Sequence, residues 1–125
     1  MKNKSNFINS LTNAIRGIIY CVRNENHFRI HLKLAGLALV LSWFFQISAS
    51  QWLLVLFSVT LVLTLEMINT SIERAIDLYT GEHHPLAQAA KDVAAGAVLV
   101  AVLNALVVGA VVFLPELYRY FSDLS

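Results

Sequence analysis

The chain has 125 residues, of which 58% are hydrophobic and 14% charged, against about 25% charged in a typical soluble domain. That composition, with a mean hydropathy of +0.66, is too apolar for an ordinary soluble fold. The net charge of +1 argues against a nucleic-acid partner, and the single Cys21 excludes an intrachain disulfide framework and any multi-cysteine metal site.

The first element in chain order is a helix over 5–24. Phe7, Ile8, Leu11, Ile15, Ile18, Ile19 and Val22 recur at steps of three and four, while Asn6, Asn9, Asn13, Arg16, Tyr20 and Arg23 take the other side. Ser5 is the expected N-cap. Met1 to Asn26 is polar and mixed, with no unbroken apolar stretch, so no secretory signal is expected. The pattern predicts an amphipathic helix lying on the bilayer surface, with Arg16 and Arg23 towards water and headgroups.

No charge lies between Lys33 and Glu66, nor between Asp92 and Glu116, and both runs exceed the ~20 residues that a spanning helix needs. The first run is too long for one span and breaks at the polar stretch Gln46-Ile-Ser-Ala-Ser-Gln51. It should therefore fold back as a hairpin, with spans over 29–47 and 52–77 and with Trp43 and Trp52 as interface anchors. A cytoplasmic loop over 78–88 holds the turn formers Gly81 and Pro85, and a third span over 89–114 ends at Pro115. Ala97, Ala101, Ala105 and Gly109, preceded by Ala90 and Ala94, form a small-residue stripe suited to close helix packing. The expected fold is thus an all-α integral membrane domain, 1–125, with one surface helix and three transmembrane helices. Such a thin bundle should need oligomerisation to complete a site between helices.

Lys2, Lys4, Arg16, Arg23, Arg29 and Lys33 precede the first span, Arg74 and Lys91 flank the second connection, and the hairpin has no basic residue. The positive-inside rule then puts the N-terminus and the 78–88 loop in the cytoplasm and the hairpin outside. The expected location is the plasma membrane, multi-pass, with its chemistry facing the cytoplasm.

Glu66, Asn69, Thr70, Glu73 and Asp77 fall within about 100° of one helix face. Asp77 stands at the cytoplasmic edge and Glu66 about 16 Å deeper, where an unpaired carboxylate costs several kcal/mol, so a partner is expected. Pairing of these carboxylates with Arg74 is the plainer alternative. Lys91, Asp92 and Glu25 converge on the same side. Carboxylates and a lysine without a His or Cys cage suit Mg²⁺ bound with substrate phosphates. The glycines form neither a Walker A loop nor a G-x-G-x-x-G, so side chains must hold any nucleotide, with Lys91, Asp92 and the loop Glu82-His83-His84 as candidates. His31, at the mouth of the first span, is left unassigned between a headgroup contact and an interfacial polar residue without a function. The rival reading is a small oligomeric transporter or proton-relay subunit. Only Ser42 and Asn104 are polar across 34–45 and 98–114, which makes a poor path through the bilayer.

The stretch Glu66-Met-Ile-Asn-Thr-Ser-Ile-Glu-Arg-Ala-Ile-Asp77 resembles the signature of the small integral-membrane prokaryotic diacylglycerol kinase family. The likeness extends through Arg23-Asn-Glu-Asn-His-Phe-Arg-Ile-His31 and through His84-Pro-Leu-Ala-Gln-Ala-Ala-Lys-Asp92 and beyond. It implies a homotrimer that transfers the γ-phosphoryl of MgATP to a lipid hydroxyl at the cytoplasmic interface. By this resemblance Glu66 is the base at the lipid substrate, Glu25 and Glu73 bind metal, and nucleotide contacts fall on Glu25, Glu73, Glu82, His84, Lys91 and Asp92. Asn69 and Asp77 support the site. The His-His-Pro-Leu-Ala stretch looks like the Gram-positive branch, which favours undecaprenol over diacylglycerol as the lipid alcohol.

Overall fold

The computed structural model describes residues 2–125, with side chains from residue 4 onwards. Among these residues the chain is all-helical: α1 (Lys2–Asn24), α2 (Asn26–Phe44), α3 (Ala49–Tyr79) and α4 (Pro85–Leu124). The helix α3 is central. It packs most extensively against α4, next against α2, and at its C-terminal half meets α1.

The break between α1 and α2 is one residue wide. Glu25 leaves the helical region at φ −111°, ψ 112°, while its N–H still reaches the Cys21 carbonyl at 3.0 Å. Arg29 closes the gap from the other side, donating to the Arg23 carbonyl at 2.9 Å and to Asn26 Oδ1 at 2.7 Å. A guanidinium on the last carbonyls of a helix satisfies acceptors that have no backbone donor and complements the helix dipole. The helix α1 begins at Lys2 rather than at the expected cap Ser5, which lies inside it. Its N–H groups there can be solvated, so no side-chain cap is needed to start the helix. The apolar residues Phe7, Ile8, Leu11, Ile15, Ile18, Ile19 and Val22 all stay exposed.

The polar stretch at 46–51 is a tight turn built from two caps. The Ile47 N–H donates to Ser42 at 3.3 Å and the Gln46 N–H to Trp43 at 3.2 Å, the paired pattern of a Schellman motif, with Gln46 left-handed at φ 49°. Ser48 then caps α3, and Gln51 returns the bond to the Ser48 N–H at 2.9 Å, completing a capping box. Ile47 is buried with Val55 and Val112 under Trp52, Phe45 and Phe113. The helix ends are thus capped while the residue between them packs.

The connection between α3 and α4 is shorter than the expected 78–88 loop. Tyr79 still belongs to α3, and α4 starts at Pro85, because His84 Nδ1 accepts from the Leu86 N–H at 3.1 Å and proline suits the first helical position. The expected stop at Pro115 is corrected too: α4 runs through it to Leu124. Within the helix Pro115 removes one backbone bond, a local loss that the contacts of the following turns offset. The extension is held by Tyr120, whose ring lies 5.8 Å from Phe44 and 6.3 Å from Phe45, and by an Arg119–Glu116 ion pair at 2.7 Å.

The small-residue stripe is met in part: Ala94 and Ala101 are buried on α4 together with Val98 and Val112, and Ala105 and Gly109 are partly buried, whereas Ala90 and Ala97 are exposed. A strict four-residue ladder drifts about 40° per step on a 3.6-residue helix, so it winds off a single contact face. Among the described residues two helices, α3 and α4, are long and apolar enough to cross a membrane. The helix α2 has 19 residues and falls short of the same hydropathy because His27, Arg29, His31 and Lys33 occupy its first two turns.

Gln46 carries a left-handed backbone that costs an L-residue about 1–2 kcal/mol and costs glycine little. Gln46→Gly is expected to raise the unfolding midpoint in micelles, by roughly 1 kcal/mol of added stability. An unchanged or lower midpoint in a denaturant titration would show that the turn does not carry this strain.

Candidate functional site

The strip on α3 divides into a deep part and a shallow part. Glu66, Asn69 and Thr70 are buried, with Glu66 only 4% exposed, while Glu73 is half-buried and Asp77 exposed. All are held by one continuous helix, so their relative heights are set by its rise of about 1.5 Å per residue.

In the deep part, Glu66 Oε2 lies 3.9 Å from His31 Nε2 of α2. This contact is ionic when the imidazole is protonated. Among the described residues the Glu66 side chain accepts no hydrogen bond, so His31 is its nearest charge-bearing partner. One turn on, Asn69 Nδ2 donates to Glu73 Oε1 at 3.2 Å, which leaves Asn69 Oδ1 buried without a partner. Cys21 of α1 is buried in the same region. Burial pushes its thiol up, and the Glu25 and Glu66 carboxylates add to the effect, against a Thr70 hydrogen bond that acts the other way. A thiol so shifted is a packing group and a poor nucleophile.

In the shallow part, Arg74 gathers three elements. Its guanidinium pairs with Glu25 Oε1 at the α1–α2 break. Its Nε donates to Tyr20 Oη at 3.0 Å, and it lies 3.8 Å from Asp77. The alternative of strip carboxylates paired with Arg74 therefore holds, loosely, for Asp77 and leaves Glu66 and Glu73 out; the close partner of Arg74 is Glu25, outside the strip. Lys91 Nζ of α4 donates to Asp77 Oδ1 at 2.6 Å, tying the two ends of the α3–α4 connection together.

That connection encloses a polar cavity of about 420 Å³, lined by Asp77, Thr80, Glu82, His83, His84 and Lys91 among others. Four of the expected nucleotide residues, Glu82, His83, His84 and Lys91, therefore face one space. Asp92 does not line it; one turn beyond Gln88, it accepts from Gln88 Nε2 at 2.8 Å. His84 spends its Nδ1 on capping α4. Glu25 and Glu73 belong to the strip and the break rather than to this cavity.

No group of three or more His, Cys, Asp and Glu side chains among the described residues is arranged to hold a metal ion by itself. Mg²⁺ does not require one, since it takes one or two carboxylates and completes its shell with phosphates and water. The unpartnered Asn69 Oδ1 beside Glu73 offers hard oxygen donors of the kind this ion takes.

Sequence reasoning missed Tyr20 and His31, and it gave Arg74 only the plainer alternative. Helical periodicity carried a signal for His31. It stands three residues after Phe28 and four before Ala35, both buried on α2, and so shares the face turned to α3. No periodicity marks the link between Tyr20 and Arg74, which are 54 positions apart.

The prokaryotic diacylglycerol kinase family model matches residues 12–113. Among relatives, the undecaprenol kinase of Bacillus subtilis is 39% identical over 89% of this chain and 90% of its own length. The diacylglycerol kinase of Synechocystis is 34% identical over 90% of this chain and 65% of its own length. The diacylglycerol kinase of Escherichia coli K12 is 34% identical over 67% of this chain and 69% of its own length. The matched span contains the whole α3 strip, the Glu25 break and the α3–α4 connection, and the chain belongs to the prokaryotic diacylglycerol kinase family, a membrane lipid phosphotransferase.

Proposed function

We propose that this chain transfers the γ-phosphoryl group of ATP, with Mg²⁺, to the hydroxyl of a membrane lipid at the cytoplasmic face, with undecaprenol the favoured acceptor and diacylglycerol the next. The observation that carries this reading is a buried carboxylate, Glu66, on the same helix as the half-buried Glu73 and the Lys91-paired Asp77. The undecaprenol kinase relative, which aligns over nearly its whole length, supports the acceptor choice. It agrees with the His-His-Pro-Leu-Ala stretch in the connection.

Phosphoryl transfer asks a protein for position and charge more than for covalent chemistry. In this reading Glu66 orients the lipid hydroxyl and accepts its proton as the new oxygen–phosphorus bond forms and the bond from the γ-phosphorus to ADP breaks. Glu25 and Glu73 would hold Mg²⁺, with Asn69 supporting Glu73; the ion, when bound, would supply positive charge that offsets the charge of the phosphates. Lys91 adds a cation at the polar cavity, where Glu82, His83 and His84 line the nucleotide's approach, Asp92 is a further nucleotide contact, and Asp77, paired with Lys91, orients the α3–α4 junction.

The surface-helix role of α1 is supported by its row of exposed apolar side chains, which lie free of the bundle and suit a bilayer interface. With α2 as the third span, the chain would be a multi-pass plasma-membrane protein whose thin bundle is completed as a homotrimer. The large apolar side chains that α2, α3 and α4 leave exposed are consistent with lipid and subunit contacts.

Purified protein in mixed micelles with γ-labelled MgATP is expected to label undecaprenol above diacylglycerol, with no transfer when lipid is omitted. Failure to label either lipid, with folded oligomeric protein, would overturn the kinase reading. Glu66→Gln is expected to lower kcat by about 100-fold or more while MgATP binding persists, and near-normal turnover in this variant would remove Glu66 from the base role. Glu73→Gln should raise the KM for MgATP, read from initial rates at fixed lipid. Because transfer is direct, incubation with labelled ATP alone should yield no stable phosphoprotein.

A further inference from the structure

We infer that His31 is the positioning residue for Glu66, holding the carboxylate in the orientation that meets the lipid hydroxyl; the inference rests on the reading of Glu66 as base. Three observations converge on it. His31 Nε2 lies 3.9 Å from Glu66 Oε2, a side chain otherwise without a hydrogen bond among the described residues. A buried carboxylate with no fixed partner has no preferred orientation, and a base misplaced by about 1 Å can lose roughly 100-fold in rate.

The other cations at the start of α2 are committed elsewhere. Arg29 caps the end of α1 through Arg23 and Asn26, and Lys33 is exposed. His31 alone of these side chains shares the α2 face of Phe28 and Ala35 that packs against α3.

His31 also lines a second cavity, of about 270 Å³, between α2, α3 and α4. The rest of its wall is almost wholly apolar, including Leu34, Ala35, Val62, Leu106 and Phe113. The imidazole therefore stands between an apolar interior and the buried carboxylate. It carries one nitrogen towards Glu66, and the planar ring packs against hydrocarbon at little desolvation cost compared with an ammonium or guanidinium. That combination suits a group that must fix a carboxylate at the boundary where an apolar substrate presents its hydroxyl.

The test compares His31→Ala, His31→Gln and Glu66→Gln in full-length protein in mixed micelles, with undecaprenol and γ-labelled MgATP. His31→Ala is expected to lower kcat by roughly 10- to 100-fold and to leave the KM for MgATP within about twofold of wild type. His31→Gln, whose side-chain amide offers a donor towards Glu66, is expected to recover much of the rate. Added to Glu66→Gln, His31→Ala should cost little further, since both changes disable one unit.

A His31→Ala variant with wild-type kcat would overturn the inference, as would full additivity in the double variant. Equal loss in His31→Ala and His31→Gln, with both proteins retaining the wild-type unfolding midpoint, would also count against it. If His31→Ala falls silent through misfolding, His31→Gln decides the matter: a folded His31→Gln with much of the wild-type rate supports the positioning role, and a folded, inactive one overturns it. If Glu66→Gln itself keeps normal turnover, the base assignment fails, and with it this inference. A wild-type-like His31→Ala beside an inactive Glu66→Gln would overturn the positioning role alone.

Discussion

A buried carboxylate on the central helix sets the terms for the rest of this structure. Removing a carboxylate from water costs several kcal/mol unless its surroundings compensate, and Glu66 is buried within a helix whose preceding turns are mostly Leu and Val. The surrounding elements answer that demand. The helix α2 brings His31 to within ionic range, and Asn69 ties its amide to Glu73 one turn away. The unpartnered Asn69 oxygen and the long His31–Glu66 separation mark a site whose polar groups are gathered and incompletely satisfied, as binding sites are.

Nearer the end of the helix, Arg74 is the organising charge. It links Glu25 at the α1–α2 break with Tyr20 on α1 and Asp77 on its own helix, so one guanidinium sets the position of α1 relative to the strip. The pairs are partly exposed, and each such contact contributes little to stability on its own. Their effect is geometric. They hold the one-residue break, and with it the Glu25 carboxylate, against the helix that carries Glu66, Asn69 and Glu73. Lys91 does the same for α4 through Asp77, which keeps the polar cavity of the connection beside the strip.

Much of this architecture was legible in residue order. Charge-free runs located the apolar helices, the polar stretch at 46–51 located the hairpin, and a spacing of 3, 4, 7 and 11 residues put Glu66, Asn69, Thr70, Glu73 and Asp77 on one face. The local errors share a cause. Pro115 and Gly81 with Pro85 were read by their intrinsic preferences. In the folded chain a proline within α4 loses one hydrogen bond while Tyr120 packs on Phe44 and Phe45, and Pro85 opens a helix that His84 caps. Packing and capping outweighed propensity at each point, and the buried face of α4 followed the 3.6-residue turn rather than the four-residue ladder.

The sequence by itself determined the membrane class, the number and order of the helices, and the strip of carboxylates, because these depend on periodicity and charge spacing along one segment. The family signature lay there too, over nearly the whole chain. Only the tertiary structure decided which groups partner those carboxylates: Arg74 for Glu25, Lys91 for Asp77 and His31 for Glu66. These pairs join α3 to the α1–α2 break, to α4 and to α2 across separations of 49, 14 and 35 positions. No local rule relates residues so far apart in the chain; the choice of partner follows from how the helices cross, and that is set by side-chain packing along their whole lengths.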